Sequence, residues 1–244
     1  MELAAYEPRR SVGLGLGYAT SNRGGCHLNG GYMVILEGLG LSMDAQTPHA
    51  KADGTVMFQD LMECVSATGQ CLFTSYAFFP FMVLKYPQAW FTKLTNMILP
   101  FSGPVLRIIN WFPEIACIHL PIIFNQTKAV EYATGMNMKF GTYIKAGKRG
   151  FVLERLINTK LGITEADDKL PGRFTKTPQI EGDDRTKVPL DQMKKAYYNA
   201  RGWDQNGIPT RKILKKLKLD NLAVTSMPVR SSLWEGPAER CSAE

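Results

Sequence analysis

GLGLGYATSNRGGCHLNGG, residues Gly13 to Gly31, is the stretch from which the rest of the chain is read. It sets Asn22, Arg23, Cys26 and His27 inside a run of glycines. Lacking a Cβ, glycine lets backbone N–H groups come close to a bulky anionic ligand. Arg23 adds a permanent cation, and His27 a group that exchanges protons near neutrality. A second stretch, SATGQCLF at Ser66 to Phe73, places Cys71 just past what reads as a helix end. A cysteine without a metal-spaced neighbour can serve as one ligand of a cluster whose other ligands come from elsewhere. Together the two stretches read as one wall of a buried cofactor site. GLGLG is not a dinucleotide fingerprint, because the polar EPRRSV precedes it instead of an apolar strand and the glycine spacing is wrong.

The 244 residues suffice for one large domain or two small ones, and 45% apolar with 10% aromatic residues is a globular composition. Net charge is +7, and much of the surplus sits in RKILKKLK, Arg211 to Lys218. Such a cluster reads as a solvated helix face, and no nucleic-acid partner is expected. The five cysteines include no C-x-x-C pair, which excludes a disulfide framework and a zinc-finger spacing and fits a reducing, cytoplasmic setting. MELAAYEPRR has no apolar signal core. The most apolar stretches, Leu72–Leu84 and Phe112–Phe124, are interrupted by prolines and too short to span a bilayer, so no membrane partner is expected.

The periodicity predicts an all-α chain. Residues 1–12 read as an extended polar arm. Phe58, Leu61, Met62 and Val65 share one face of a helix starting near Thr55, with Gly69 at its C-terminal cap. Prolines 80, 87, 100, 104, 113 and 121 break the next stretch into short helices, and His119 among Ile118, Leu120 and Ile122 reads as a core histidine. Further helices are expected at 128–135, from Asn137 to Lys160, at Leu190–Arg201 before Gly202, and at Arg211–Leu219 with Thr210 as its cap. Gly141, Gly147 and Gly150 weaken the second of these by about 1 kcal/mol each relative to alanine, so a close neighbour must offset them. The acids of 163–189, including Asp167, Asp168, Asp183 and Asp184, read as solvated loop and capping groups. The aromatic segment Tyr76–Phe81 reads as core packing or a pocket lining. Residues 220–244 lack periodicity and read as a mobile tail. The residues alone leave Cys71 open between cluster ligand and small buried hydrophobe.

Four blocks then resemble one family. GLGYATSNRGGCHL at 15–28, SATGQCLF at 66–73, FVLERLINTKLG at 151–162 with DDKLPGRF at 167–174, and LDQMKKAYYNARGWDQNGIPT at 190–210 are similar, in order and spacing, to the C-terminal part of the aldehyde:ferredoxin oxidoreductases, the tungsten–pterin enzymes. The resemblance covers residues 1–219. It implies an irregular helical C-terminal domain without the family's N-terminal β-rich domain, hence a truncated frame or fragment. It implies oxidation of an aldehyde to a carboxylic acid, a tungsten or molybdenum bis-pterin, and electrons leaving through a 4Fe-4S cluster to ferredoxin or a similar acceptor. Cys71 would be the cluster's fourth thiolate; the other three belong to a C-x-x-C-x-x-x-C run, which this chain lacks. His27 would stand beside the metal as proton donor or shuttle. Arg23, Asn29, Ser66, Gly69 and Gln70 would contact the pterin. Where the family usually has an acid, an apolar and a basic residue, Ser66, Gln70 and Asn29 stand here, which puts the pterin geometry and the substrate class in doubt. The missing N-terminal half would be an obligatory partner, homo-oligomerisation stays open, and the competing reading is a catalytically inactive helical remnant or interaction module.

Overall fold

The computed structural model describes residues 5–39, 43–71, 73, 85–115 and 125–224. Among them are ten α-helices of very different length and no strand; the one isolated β-bridge joins Trp203 and Pro209. The all-α expectation holds.

The first helix, α1 (Val12–Thr20), contradicts the reading of its glycines as an open anion loop. It is helical and buried along its whole length. Its glycines serve packing: a Cβ at Gly17 would overlap the Gly30 carbonyl, and one at Gly15 would press on Val188. The helix start is held by Glu37, from a π-helical turn at Ile35–Leu39. The Gly13 and Leu14 N–H groups donate to its two carboxylate oxygens at 2.9 and 3.3 Å. Lys51 Nζ sits 2.7 Å from the same carboxylate, and both side chains are 0% exposed. A carboxylate here answers unpaired N–H groups and the positive end of the helix dipole, and the lysine neutralises it.

α2 (Lys51–Ala67) is the central element. It begins four residues earlier than expected, because Asp53 in its first turn is engaged by Arg107 and the Asn110 side chain donates to the Asp53 carbonyl. Gly69 takes φ 72° just past its end, as expected of a left-handed cap. The proline-rich stretch folds as α3 (Trp90–Ile98), a 3₁₀ turn (Leu99–Ser102), α4 (Gly103–Trp111) and a second turn (Pro113–Ile115), with the prolines near the breaks. Trp90 and Phe101 on this segment are 76% and 75% exposed.

After α5 (Asn125–Thr134) comes the longest helix, α6 (Phe140–Lys160). It crosses α2 where Gly147 lies directly on the Asp60 carbonyl, with no room for a Cβ. The glycines that weaken this helix therefore permit the approach that stabilises it. α7 (Gly172–Thr175), α8 (Leu190–Arg201), α9 (Arg211–Leu217) and α10 (Asp220–Val224) complete the fold. α8 ends at Gly202, as expected. Thr210 does not cap α9 with its side chain; the hydroxyl donates to the Gly202 carbonyl instead. The first five residues of the expected tail form α10, while residues 225–244, His119, Cys117 and Tyr76–Phe81 lie outside the described residues.

Asp168 corrects a second expectation. It is buried, not solvated, and takes two hydrogen bonds from Arg155 at 2.8 and 2.7 Å and one from Tyr198 Oη at 2.5 Å. Arg155 also donates to the Gly207 carbonyl. One ion pair thus ties together α6, the loop that follows it, α8 and the turn after α8. Asp167 does cap, in a reciprocal box with Thr164, and Asp183 accepts from the Arg185 N–H. A second buried pair joins Asp60 of α2 to Arg201 of α8, and Arg201 stacks over the Phe151 ring at 4.1 Å.

Candidate functional site

The loop Ser21–Gly31 leaves the end of α1 and is pinned on both sides. Asn22 Nδ2 donates to the Phe151 carbonyl at 2.9 Å and to Glu154 Oε2 at 3.1 Å, and Asn158 Nδ2 donates to the Asn22 carbonyl at 2.9 Å. Ser21 Oγ donates to Asn29 Oδ1 at 2.8 Å, and Asn29 Nδ2 reaches Glu63 Oε2 at 3.5 Å. The return of the loop is a chain of tight turns: the Gly30 N–H donates to the Cys26 carbonyl at 2.8 Å and the Tyr32 N–H to the His27 carbonyl at 2.9 Å.

His27 is half-buried on this turn. Its imidazole is one corner of a three-ring cluster, 5.3 Å from the Tyr6 ring and 5.7 Å from the Tyr32 ring, which are themselves 5.9 Å apart. Burial pushes its pKa below the ordinary histidine value, favouring the neutral ring. Arg23 is exposed, with Nη2 3.5 Å from Cys26 Sγ. Asn29 is 2% exposed and directed inward.

The second stretch forms a turn at the end of α2. The Gly69 N–H donates to the Ser66 carbonyl at 3.0 Å and the Gln70 N–H to the Val65 carbonyl at 3.1 Å. Ser66 and Gln70 are half-buried, and Gly69 and Cys71 are exposed. Both stretches are anchored near the same end of α2, since Glu63, which meets Asn29, lies four residues before the last helical residue, Ala67. That is about 6 Å along the axis.

An anionic, thiolate-ligated group fits these stretches on two counts. Arg23 and Cys71 are exposed, and a Cβ added at Gly24 or Gly69 would meet nothing within 4 Å, so both turns border open space. It does not fit the Asn29 side chain, which the loop itself uses. Among the described residues no three His, Cys, Asp or Glu side chains gather as a metal site, so Cys71 can be only one ligand of several. An open cleft of about 560 Å³ runs along the outer side of the loop, bordered by Ser21, Asn22, Gly24, Gly25, Asn158 and Lys169; neither His27 nor Cys71 lines it.

Three participants were not legible in the sequence. Tyr6 lies in the arm read as extended and polar. Tyr32 directly follows the glycine run, and nothing in its spacing marks it. Glu63 is on α2, and burial together with the negative Glu154 raises its pKa to about 7, against which Arg23 acts in part. No residue pattern marks Glu63, because its burial is made by α6 and the loop.

Residues 1–219 match the family described as aldehyde ferredoxin oxidoreductase, domains 2 & 3. The chain belongs to this family. The tungsten-containing aldehyde ferredoxin oxidoreductases of Pyrococcus furiosus and Thermococcus kodakarensis are each 33% identical to it, over 220 and 219 residues, covering 87% of this chain and 29% of theirs. That of Pyrococcus horikoshii is 33% identical over 226 residues, 90% of this chain and 30% of its own. The chain thus spans about three tenths of the length of these relatives. Two of the aldehyde ferredoxin oxidoreductase-like blocks, 151–162 with 167–174 and 190–210, contain the partners of the Arg155–Asp168–Tyr198 cluster, so these three residues do structural work. No helix among the described residues is long and apolar enough to cross a membrane.

Proposed function

We propose that this chain supplies the helical wall of an oxidoreductase that converts an aldehyde and water to a carboxylic acid, releasing two electrons and two protons. When bound, a tungsten or molybdenum bis-pterin would accept the electron pair, and a 4Fe-4S cluster would pass electrons singly to ferredoxin or a similar acceptor. Cys71 contributes one thiolate to the cluster, and the polypeptide carrying the rest of the family's architecture contributes the others. Ser66, Gly69 and Gln70 shape the turn beneath one pterin. Arg23 and the loop N–H groups offset its negative charge, while Asn29 supports the loop from inside. His27, biased toward its neutral form, accepts a proton and hands it to solvent. A reducing, cytoplasmic compartment suits an exposed thiol of this kind.

The observation that carries this reading is the attachment of the His27 loop and the Cys71 turn to the same end of α2, with Cys71 accessible. It is tested by anaerobic purification of the chain together with the polypeptide that bears a C-x-x-C-x-x-x-C run. Iron, acid-labile sulfide and tungsten or molybdenum are expected in stoichiometric amounts, and Cys71→Ser should lower the iron and sulfide content. Absence of all three from the wild-type complex sinks the proposal. The second reading, a helical remnant without catalysis, is favoured by the inward Asn29; it requires that metal-free result.

A further inference from the structure

We propose that Tyr6 and Tyr32 are positioning residues for the His27 imidazole, which packs against the corner their two rings form on a strained turn. The inference rests on the assignment of His27 as the proton-handling group and goes beyond it by naming what orients the ring.

The backbone comes first. Tyr32 has φ 48°, in the left-handed region where a bulky side chain is uncommon. Such a conformation costs on the order of 1–3 kcal/mol and persists only where the surroundings over-determine it. Here they do. The Tyr32 N–H closes the turn on the His27 carbonyl at 2.9 Å. The Tyr32 side chain is 2% exposed. Its hydroxyl lies 3.1 Å from the Tyr6 hydroxyl, either being able to donate. Tyr32 thus fixes the His27 backbone through one bond and borders its ring at 5.7 Å.

Tyr6 supplies the second ring, beside that of Tyr32, from a different part of the chain. Its N–H donates to Tyr18 Oη of α1 at 3.0 Å, anchoring the arm. Its ring then meets the imidazole at an interplanar angle of 72° and the Tyr32 ring at 57°. The two tyrosines, packed on each other and joined by a hydroxyl–hydroxyl contact, brace one side of the imidazole and block its rotation toward them. The burial that lowers the His27 pKa is in part made by these rings. The charged neighbour nearest in sequence, Arg23, is directed to Cys26 on the same loop.

The test is nuclear magnetic resonance titration of the full chain, histidine-labelled at Cε1 and free of cofactor. The signal of His27 is identified by its loss in His27→Gln. In Tyr6→Ala and in Tyr32→Leu, its midpoint should move up toward the ordinary imidazole value of about 6.5, and its ring-current shift should be lost. Tyr6→Phe and Tyr32→Phe, which keep the rings, should restore most of both, and His49 should not move in any variant. A merely structural role would leave the His27 signal unchanged while the protein lost stability. Tyr6→Ala alters a half-buried arm and so remains readable if Tyr32→Leu fails to fold. An unchanged His27 midpoint and shift in folded Tyr6→Ala overturns the proposal. Because the titration needs no metal, its outcome is separate from the metal content that decides the functional reading.

Discussion

Glu63→Gln should stabilise this chain at alkaline pH and leave it nearly unchanged in acid. Glu63 is 8% exposed, lies under the His27 loop, and faces the negative Glu154 of α6 and Asp60 of its own helix. Arg23 works in the opposite direction. Its pKa is raised from 4.5 to about 7. Between those two values the folded protein keeps a proton that the unfolded chain releases. Unfolding then releases protons, so stability falls as pH rises through this window and levels off above about 7. At 1.36 kcal/mol per pKa unit the full penalty is about 3 kcal/mol. Glutamine has nearly the same shape and cannot ionise. It preserves the oxygen that accepts from Asn29 and offers an N–H toward Glu154. Urea unfolding of wild type and variant at pH 5 and pH 8 measures the effect as a shift in midpoint at constant slope. The variant should gain up to about 3 kcal/mol at pH 8 and about 0.8 kcal/mol at pH 5. Equal differences at the two pH values, or a variant less stable than wild type at pH 8, would refute a buried carboxyl that holds its proton.

Three other outcomes follow from the packing. Gly147→Ala puts a methyl group into the Asp60 carbonyl, which is backbone and cannot swing aside, and should lose at least 1–3 kcal/mol in a denaturant melt. Gly150→Ala meets the flexible Glu63 side chain instead, so the gain in helix propensity, about 1 kcal/mol, should offset most of the crowding. Arg155→Met strands Asp168 in the interior and should destabilise by about 3–5 kcal/mol, with Arg155→Met/Asp168→Leu recovering part of the loss in the same assay.

The sequence by itself determined the helical class, the family and the elements whose ends carry local signals. Gly202 stops α8 and Gly69 stops α2 because a left-handed residue at a helix end is unfavourable for most side chains and not for glycine, a preference acting over a few residues. Gly141, Gly147 and Gly150 likewise foretold the close passage of a neighbour along α6. Only the tertiary structure decided whether a glycine serves a ligand or a neighbouring helix. Gly13, Gly15 and Gly17 read as part of a run open to a bulky anionic ligand, yet their missing Cβ atoms make room for Glu37, Val188 and Gly30. It also decided that Asp168 is buried against an arginine thirteen residues earlier and a tyrosine thirty residues later, and that Tyr6 closes over His27. Burial and charge pairing depend on which distant segments pack together, and spacing along the chain does not encode that for a single residue.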